Sequence, residues 1–436
     1  MDIHPIQVYI PNRNGQYTDI KMFRGKFRKD IITDKKTVLN CTFVKIKKTD
    51  FLKIEQNISR LKYLLTLYKM TVDELLMLIS EGLKIPLSKE DILSTEIKVN
   101  ILKRVDKVFN KGLHFYLDPK SPEVSQDASI FFRKTKFGTN LNIGAKKIVN
   151  QFEEFKISLS AISKLAELNI ERTLPVFTIN QDPKTIAKQI RKELYPDFNP
   201  IPKEFLRGLI STFAVNNILV FEFVETWNKK EKANIDGFFL TPNVIVLKRQ
   251  QTSFRREIFT LIHELGHYLI NEEEIEQLDI SNFGNTKLSA IERWCNDFAY
   301  YFLAGEFDKA FENIETADGN NDYHFDLIES ISKETHLSQI ALFTKLLFQK
   351  KITQSSYNII KADFDEQYRI RQEEKEKQKE IDKIAGKKND GRAPKPMNSP
   401  LLISTIQTAF YEGVINEYDV CKTLNISPDK LEKFLQ

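Results

Sequence analysis

The stretch that decides the reading is Phe259-Thr260-Leu261-Ile262-His263-Glu264-Leu265-Gly266-His267-Tyr268-Leu269-Ile270. Ile258, Ile262, Leu265 and Leu269 recur at helical spacing, which predicts a helix with that stripe in the core. His263 and His267 stand one turn apart and project the same way. Both imidazoles can then reach one Zn2+ at about 2.0–2.1 Å. Glu264 falls beside such a metal and not on it, placed to take a proton from metal-bound water and pass it to a leaving amine. The plainer alternative is a pair of ordinary helix histidines. The chain has only six His, so the pair is no by-product of His-richness. Gly266 costs about 1 kcal/mol against Ala in a helix interior, and a close approach by another backbone would account for it.

A catalytic zinc site takes three protein ligands and keeps one position open, so the third ligand belongs downstream. Ala290 to Leu303 is apolar at Ile291, Trp294, Cys295, Phe298, Ala299 and Phe302. That is too many for a surface helix, and an acid inside it needs a partner. Glu292, one turn before Asn296, is the leading candidate. Glu272, Glu273, Glu274 and Asp297 are the alternatives, although Asn271 to Glu276 reads as a solvated turn. Cys295 fits packing better than ligation. His324 and His336 read as structural or surface residues. Tyr268 either assists the oxyanion or packs beside the site.

Upstream of the motif, Val244 to Leu247 is an unbroken apolar run, as in a strand buried on both faces. Gly237 to Leu240 and Ile218 to Phe223 read as further strands. Helices are expected at Thr185–Leu194 and Leu206–Phe213. Pro175 and Pro183 bracket a linker, so a new unit starts near 183. Further upstream lie helical stretches at Ile148–Leu168, Ile101–Phe115 and Ile58–Ile79, the last with a capping box at Thr71 and Glu74. Val8–Ile10 and Thr42–Ile46 are β-prone around a turn at 11–15. Downstream, helices run to about 362. Asp363–Ala385 is a charged, solvated helix, Gly386–Pro396 a flexible linker, and 400–436 helical again. The domains are therefore 1–50, β-rich; 51–182, helical; 183–362, the metal-bearing domain; 363–399, charged helix and linker; and 400–436, a small helical segment.

Of 436 residues, 41% are apolar and 29% charged, an ordinary globular balance. No apolar run approaches the ~20 residues of a membrane span, and the start lacks the pattern of a secretory signal. Three scattered cysteines, Cys41, Cys295 and Cys421, form no paired framework, which predicts a reducing, cytoplasmic setting. Residues 1–150 hold 28 Lys/Arg against 16 Asp/Glu, a balance of +12, and residues 251–350 hold 8 against 18, a balance of −10. The basic half meets an acidic partner or nucleic acid, or is simply a Lys-rich solvated surface; the second reading is the simpler.

The run Phe259-Thr260-x-x-His263-Glu264-Leu265-Gly266-His267, followed by Glu292-x-x-Cys295-Asn296-Asp297-Phe298-Ala299, resembles the ImmA/IrrE metallopeptidases. Their second motif usually has Ala where Cys295 stands. The resemblance covers about 183–360 and implies His263, His267 and Glu292 as zinc ligands and Glu264 as general base, a gluzincin-like HExxH-plus-Glu site. It implies an α+β, mostly helical fold: a zincin-like peptidase domain, made of a small sheet and the HExxH helix, flanked by helical N- and C-terminal regions. Residues 57–117 resemble a degenerate phage-repressor helix-turn-helix. Its recognition stretch, Glu81 to Thr95, contains Gly82 and Pro86, so the expectation is weak, nonspecific nucleic-acid binding at most. Family members cleave regulatory proteins such as repressors or antitoxins in phage, mobile-element and stress circuits, which implies a protein substrate of that class and no membrane partner. The competing readings are a DNA-binding regulator and a toxin–antitoxin or phage-defence component that acts by binding a partner.

Overall fold

The computed structural model describes residues 7–11, 17–21, 52–109, 111–122, 130, 141–225, 232–249, 253–275, 289–316, 324–385, 395–424 and 426–435. The chain divides into two compact units, residues 1–51 and 52–436. In the first, β1 (Gln7–Pro11) and β2 (Tyr17–Lys21) pair antiparallel, with Val8 opposite Ile20 and Ile10 opposite Thr18. The expected strand at Thr42–Ile46 and turn positions 12–15 lie outside the described residues.

The second unit opens with β3 (Lys53–Glu55), α1 (Ile58–Leu67), α2 (Val72–Ser80), α3 (Lys89–Leu93), β4 (Glu96–Lys98), α4 (Val99–Phe109) and α5 (Leu113–Leu117). The capping box at Thr71 and Glu74 is present at the start of α2. Leu61, Leu64, Leu65, Tyr68, Leu75 and Ile79 are buried as their helical spacing requires. Between Ser80 and Glu96 the only helix is the five-residue α3, too short to lie along a major groove as a recognition helix does. The single helix expected at Ile101–Phe115 is two. Gly112 takes φ +81°, a region closed to most side chains. Asp106 Oδ1 accepts the amides of Lys111 and Gly112 at 3.1 and 2.8 Å, which stops α4.

The remainder is layered. α6 (Ile143–Leu165), α7 (Pro183–Leu194) and α8 (Pro202–Val215) lead into a three-stranded sheet of β5 (Leu219–Phe223), β6 (Gly237–Leu240) and β7 (Val244–Lys248). The strand order is β5-β7-β6, with β5 parallel and β6 antiparallel to β7. Side chains alternate across a strand, and here both faces find cover. Leu219, Phe221, Phe223, Phe238, Leu240, Val244 and Val246 pack with residues of α6 and of the C-terminal helices. Val220, Phe239, Ile245 and Leu247 face the opposite core, which contains α7, α8, α9 (Phe254–Ile270) and α10 (Ala290–Ala304). This double burial explains the unbroken apolar runs.

α11 (Asp308–Glu312), α12 (Phe325–Thr335), α13 (Gln339–Phe348) and the 31-residue α14 (Gln354–Ile384) follow. α15 (Pro400–Tyr411), α16 (Glu417–Leu424) and α17 (Leu431–Leu435) complete the chain. The C-terminal segment is tied to the sheet by polar contacts. The buried Arg249 pairs with the buried Glu222 and Glu257, and Glu222 Oε2 accepts the amide of Asn398 at 2.7 Å. No helix among the described residues is long and apolar enough to cross a membrane.

Candidate metal centre

α9 starts where Ser253 accepts the amide of Arg256 and ends at Asn271, which turns left-handed at φ 56°. That turn folds the chain back on the helix. The Glu272 amide bonds the His267 carbonyl at 3.1 Å, and His267 Nδ1 donates to the Glu272 carbonyl at 3.1 Å. The expected apolar stripe of Ile258, Ile262, Leu265 and Leu269 is fully buried. α10 is the neighbour of α9 in the core. Its N-cap, Ser289, accepts the Glu292 amide. Trp294 Nε1 reaches the carbonyl of Gln181 at 2.8 Å, just before α7.

These two helices bring His263, His267 and Glu292 together. The two Nε2 atoms are 3.1 Å apart, and Glu292 places Oε2 3.1 Å from one and Oε1 3.1 Å from the other. Among the described residues this is the one group of His, Cys, Asp and Glu side chains whose ligand atoms converge in this way. All three are buried. His263 Nδ1 donates to Asn296 Oδ1 at 3.0 Å. With both Nδ1 protons given to oxygen acceptors, the neutral imidazoles turn their Nε2 lone pairs toward each other and toward the carboxylate. Converging acceptors with no proton between them repel, so the arrangement calls for a cation, and two imidazoles with one carboxylate suit Zn2+. Burial alone would raise the pKa of Glu292, but positive charge at His267 and His263 outweighs it and holds the carboxyl far below its usual range. Glu292 Oε1 has no hydrogen-bond donor among the described residues, as befits an oxygen meant for a metal.

Glu264 lies beside this cluster and belongs to no ion pair among the described residues. It is buried, and its Oε2 has no hydrogen-bond partner there. Burial pushes its pKa up to about 8, with His267 opposing and Glu292 and Asp236 adding to the rise. β6 runs directly over it: a Cβ placed on Gly237 would stand 3.2 Å from Glu264 Cγ and 2.8 Å from Thr260 Cγ2. The neighbouring Asp236 is held by Arg256 at 2.6 Å.

The other candidate acids lie elsewhere. Asp297 pairs with Lys345 at 3.2 Å, and the Glu272 side chain is exposed. The reading of Asn271 to Glu276 as a solvated turn needs correction. Glu273 is buried and accepts from Thr241 N and Oγ1 at 2.9 and 3.0 Å, and Ile275 is buried beside it. The αL turn at Asn271 points this segment back into the protein, which sequence spacing does not show. Cys295 is a packed thiol outside the cluster, its pKa driven up by burial and by Glu292 and Glu264. Tyr268 sits in the core, edge-on to Phe239 and under the guanidinium of Arg172 at 3.9 Å. His336 is buried against Phe198 and Phe205 and reaches the Asn199 carbonyl at 2.7 Å. Sequence reasoning did not assign roles to Asn296, to the Glu272 carbonyl or to Gly237. Asn296 could have been found from its position one turn after Glu292.

Neither a curated protein nor a solved structure matches the chain. Residues 217–313, from just before β5 to just past α11, match the family model described as the IrrE N-terminal-like domain, a peptidase family, and the whole cluster lies within that span.

Proposed function

We propose that the chain is a zinc-dependent endopeptidase in which His263, His267 and Glu292 hold the metal. The observation that carries this is the convergence of two imidazole Nε2 atoms and a carboxylate within 3.1 Å of one another, with both Nδ1 protons engaged elsewhere. The match to a peptidase family over the same residues supports it. Zn2+ held there would supply Lewis acidity toward a scissile carbonyl and toward water. The chain's own residues do the rest. Asn296 and the Glu272 carbonyl fix the two rings in their tautomers. Glu264 takes the proton of the attacking water and returns it to the leaving amine, and its raised pKa suits a group that must do both near neutrality. β6 screens that carboxyl from solvent. The substrate class is a regulatory protein of the repressor or antitoxin kind, in a phage, mobile-element or stress circuit; its support is the resemblance of the two motifs.

The test is metal analysis of the purified chain, followed by incubation with regulators encoded beside its gene and mass spectrometry of the products. One zinc per chain and a defined cut are expected, with the cut lost in Glu264→Gln. A chain that takes up no zinc, or whose cleavage survives that change, would overturn the reading.

A further inference from the structure

α9 and α10 meet most tightly at a point that is neither a ligand nor the proton acceptor. A Cβ added to Gly266 would stand 3.1 Å from Cys295 Sγ and 3.2 Å from both Cys295 Cα and Cβ. Both residues lie inside the core. The contact sits in the middle of the cluster's own sequence. Gly266 directly precedes His267, while Cys295 lies between Glu292, one turn earlier, and Asn296, the next residue and the acceptor of His263 Nδ1. One partner in the close approach is backbone, which cannot rotate away as a side-chain tip can. Enlarging either residue therefore displaces one helix relative to the other by a few tenths of an ångström. Metal–ligand distances tolerate only about 0.2 Å. The displacement is small for packing and large for coordination.

We propose that Gly266 and Cys295 form the spacer that sets metal affinity, as positioning residues acting through His267 and Glu292. This rests on the assignment of the metal cluster above. It also gives the unusual sequence features a common cause: a glycine in the middle of a buried helix, and a small residue three positions after the candidate ligand Glu292.

The experiment measures zinc affinity of the full chain by competition with a chromogenic chelator, and the visible spectrum of the Co2+-loaded protein as a reporter of ligand geometry. Gly266→Ala is expected to weaken zinc binding by about tenfold or more, the scale of outer-shell losses, and to alter the cobalt spectrum while far-ultraviolet circular dichroism stays unchanged. Cys295→Ala, which enlarges nothing, is expected to bind within about threefold of wild type, a difference under ~0.7 kcal/mol. Gly266→Ala combined with Cys295→Gly is expected to regain most of the lost affinity. Should Gly266→Ala fail to fold, Cys295→Val tests the same contact from the other helix and is expected to weaken binding. A folded Gly266→Ala or Cys295→Val with wild-type affinity and spectrum overturns the spacer, as does a paired variant that folds but regains nothing. A wild-type chain that binds no zinc overturns the metal assignment and the spacer together. Tight wild-type binding that neither enlargement disturbs overturns the spacer alone.

Discussion

His263 and His267 each donate their Nδ1 proton to an oxygen that is not a candidate ligand, Asn296 Oδ1 and the Glu272 carbonyl. The two acceptors differ in how mutation reaches them. Asn296→Ala removes one outright and is expected to lower zinc affinity by about 10–100-fold. Glu272→Ala keeps its carbonyl and is expected to bind zinc normally. Chelator competition on both variants checks the contrast, and equal losses would contradict it. A second residue-scale prediction concerns His336. Burial lowers its pKa; its bond to the Asn199 carbonyl opposes this and Arg255 adds to the lowering. The folded protein thus binds the proton less readily than the unfolded chain. The stability tied to neutral His336 is fully present above its ordinary value of about 6.5 and is lost as pH falls through the lower folded value. His336→Phe should flatten that acid-side loss, read as melting temperature between pH 7.5 and 5. A variant with the wild-type slope would assign the loss to other groups. At this scale the sequence already pointed to His263, His267, Glu264 and Glu292, because helical spacing and a buried acid constrain them directly. Glu273 was misread, because its burial depends on one left-handed residue, Asn271.

Among the elements, β6 and α9 approach one another through a missing side chain. A Cβ on Gly237 would meet Thr260 Cγ2 at 2.8 Å and the Val246 carbonyl at 3.1 Å, so one neighbour is a branched side chain and the other is backbone. Gly237→Ala is expected to cost about 1–3 kcal/mol as an overpacking change and to displace Glu264. Denaturant unfolding measures the first effect, and zinc binding should be far less affected than cleavage. A variant as stable and as active as wild type would show that the strand has room to move. The strands and the motif helix were legible because unbroken apolar runs and a 3.6-residue stripe are strong local signals. The break between α4 and α5 was not. A single glycine in an otherwise helical pattern is tolerated in many helices, and only its φ of +81° and the two amides taken by Asp106 show that the helix ends there.

In the whole molecule, the sheet is covered by helices from distant parts of the sequence. α15 and α16, beyond the linker, supply Leu402, Ile406, Ala409 and Val420 to one face, and Asn398 satisfies a carboxylate oxygen of buried Glu222. Arg249 neutralises Glu222 and Glu257 within the protein. Arg249→Met leaves two buried carboxylates without their cation, a loss of about 3–5 kcal/mol, and is expected to unfold at clearly lower denaturant. A midpoint unchanged from wild type would show that the network contributes little. The double-sided core has a consequence for how this protein can be taken apart. The span similar to a known family, residues 217–313, contains every atom of the candidate centre, yet it lacks α6, α7, α8 and α15, which roof both faces of its sheet. Excised by itself, that span would present Leu219, Phe221, Phe238 and Val246 to water and would clump with its neighbours. The unit that a laboratory can express, or that recombination can move between genes intact, therefore runs from the start of α6 to the last helix.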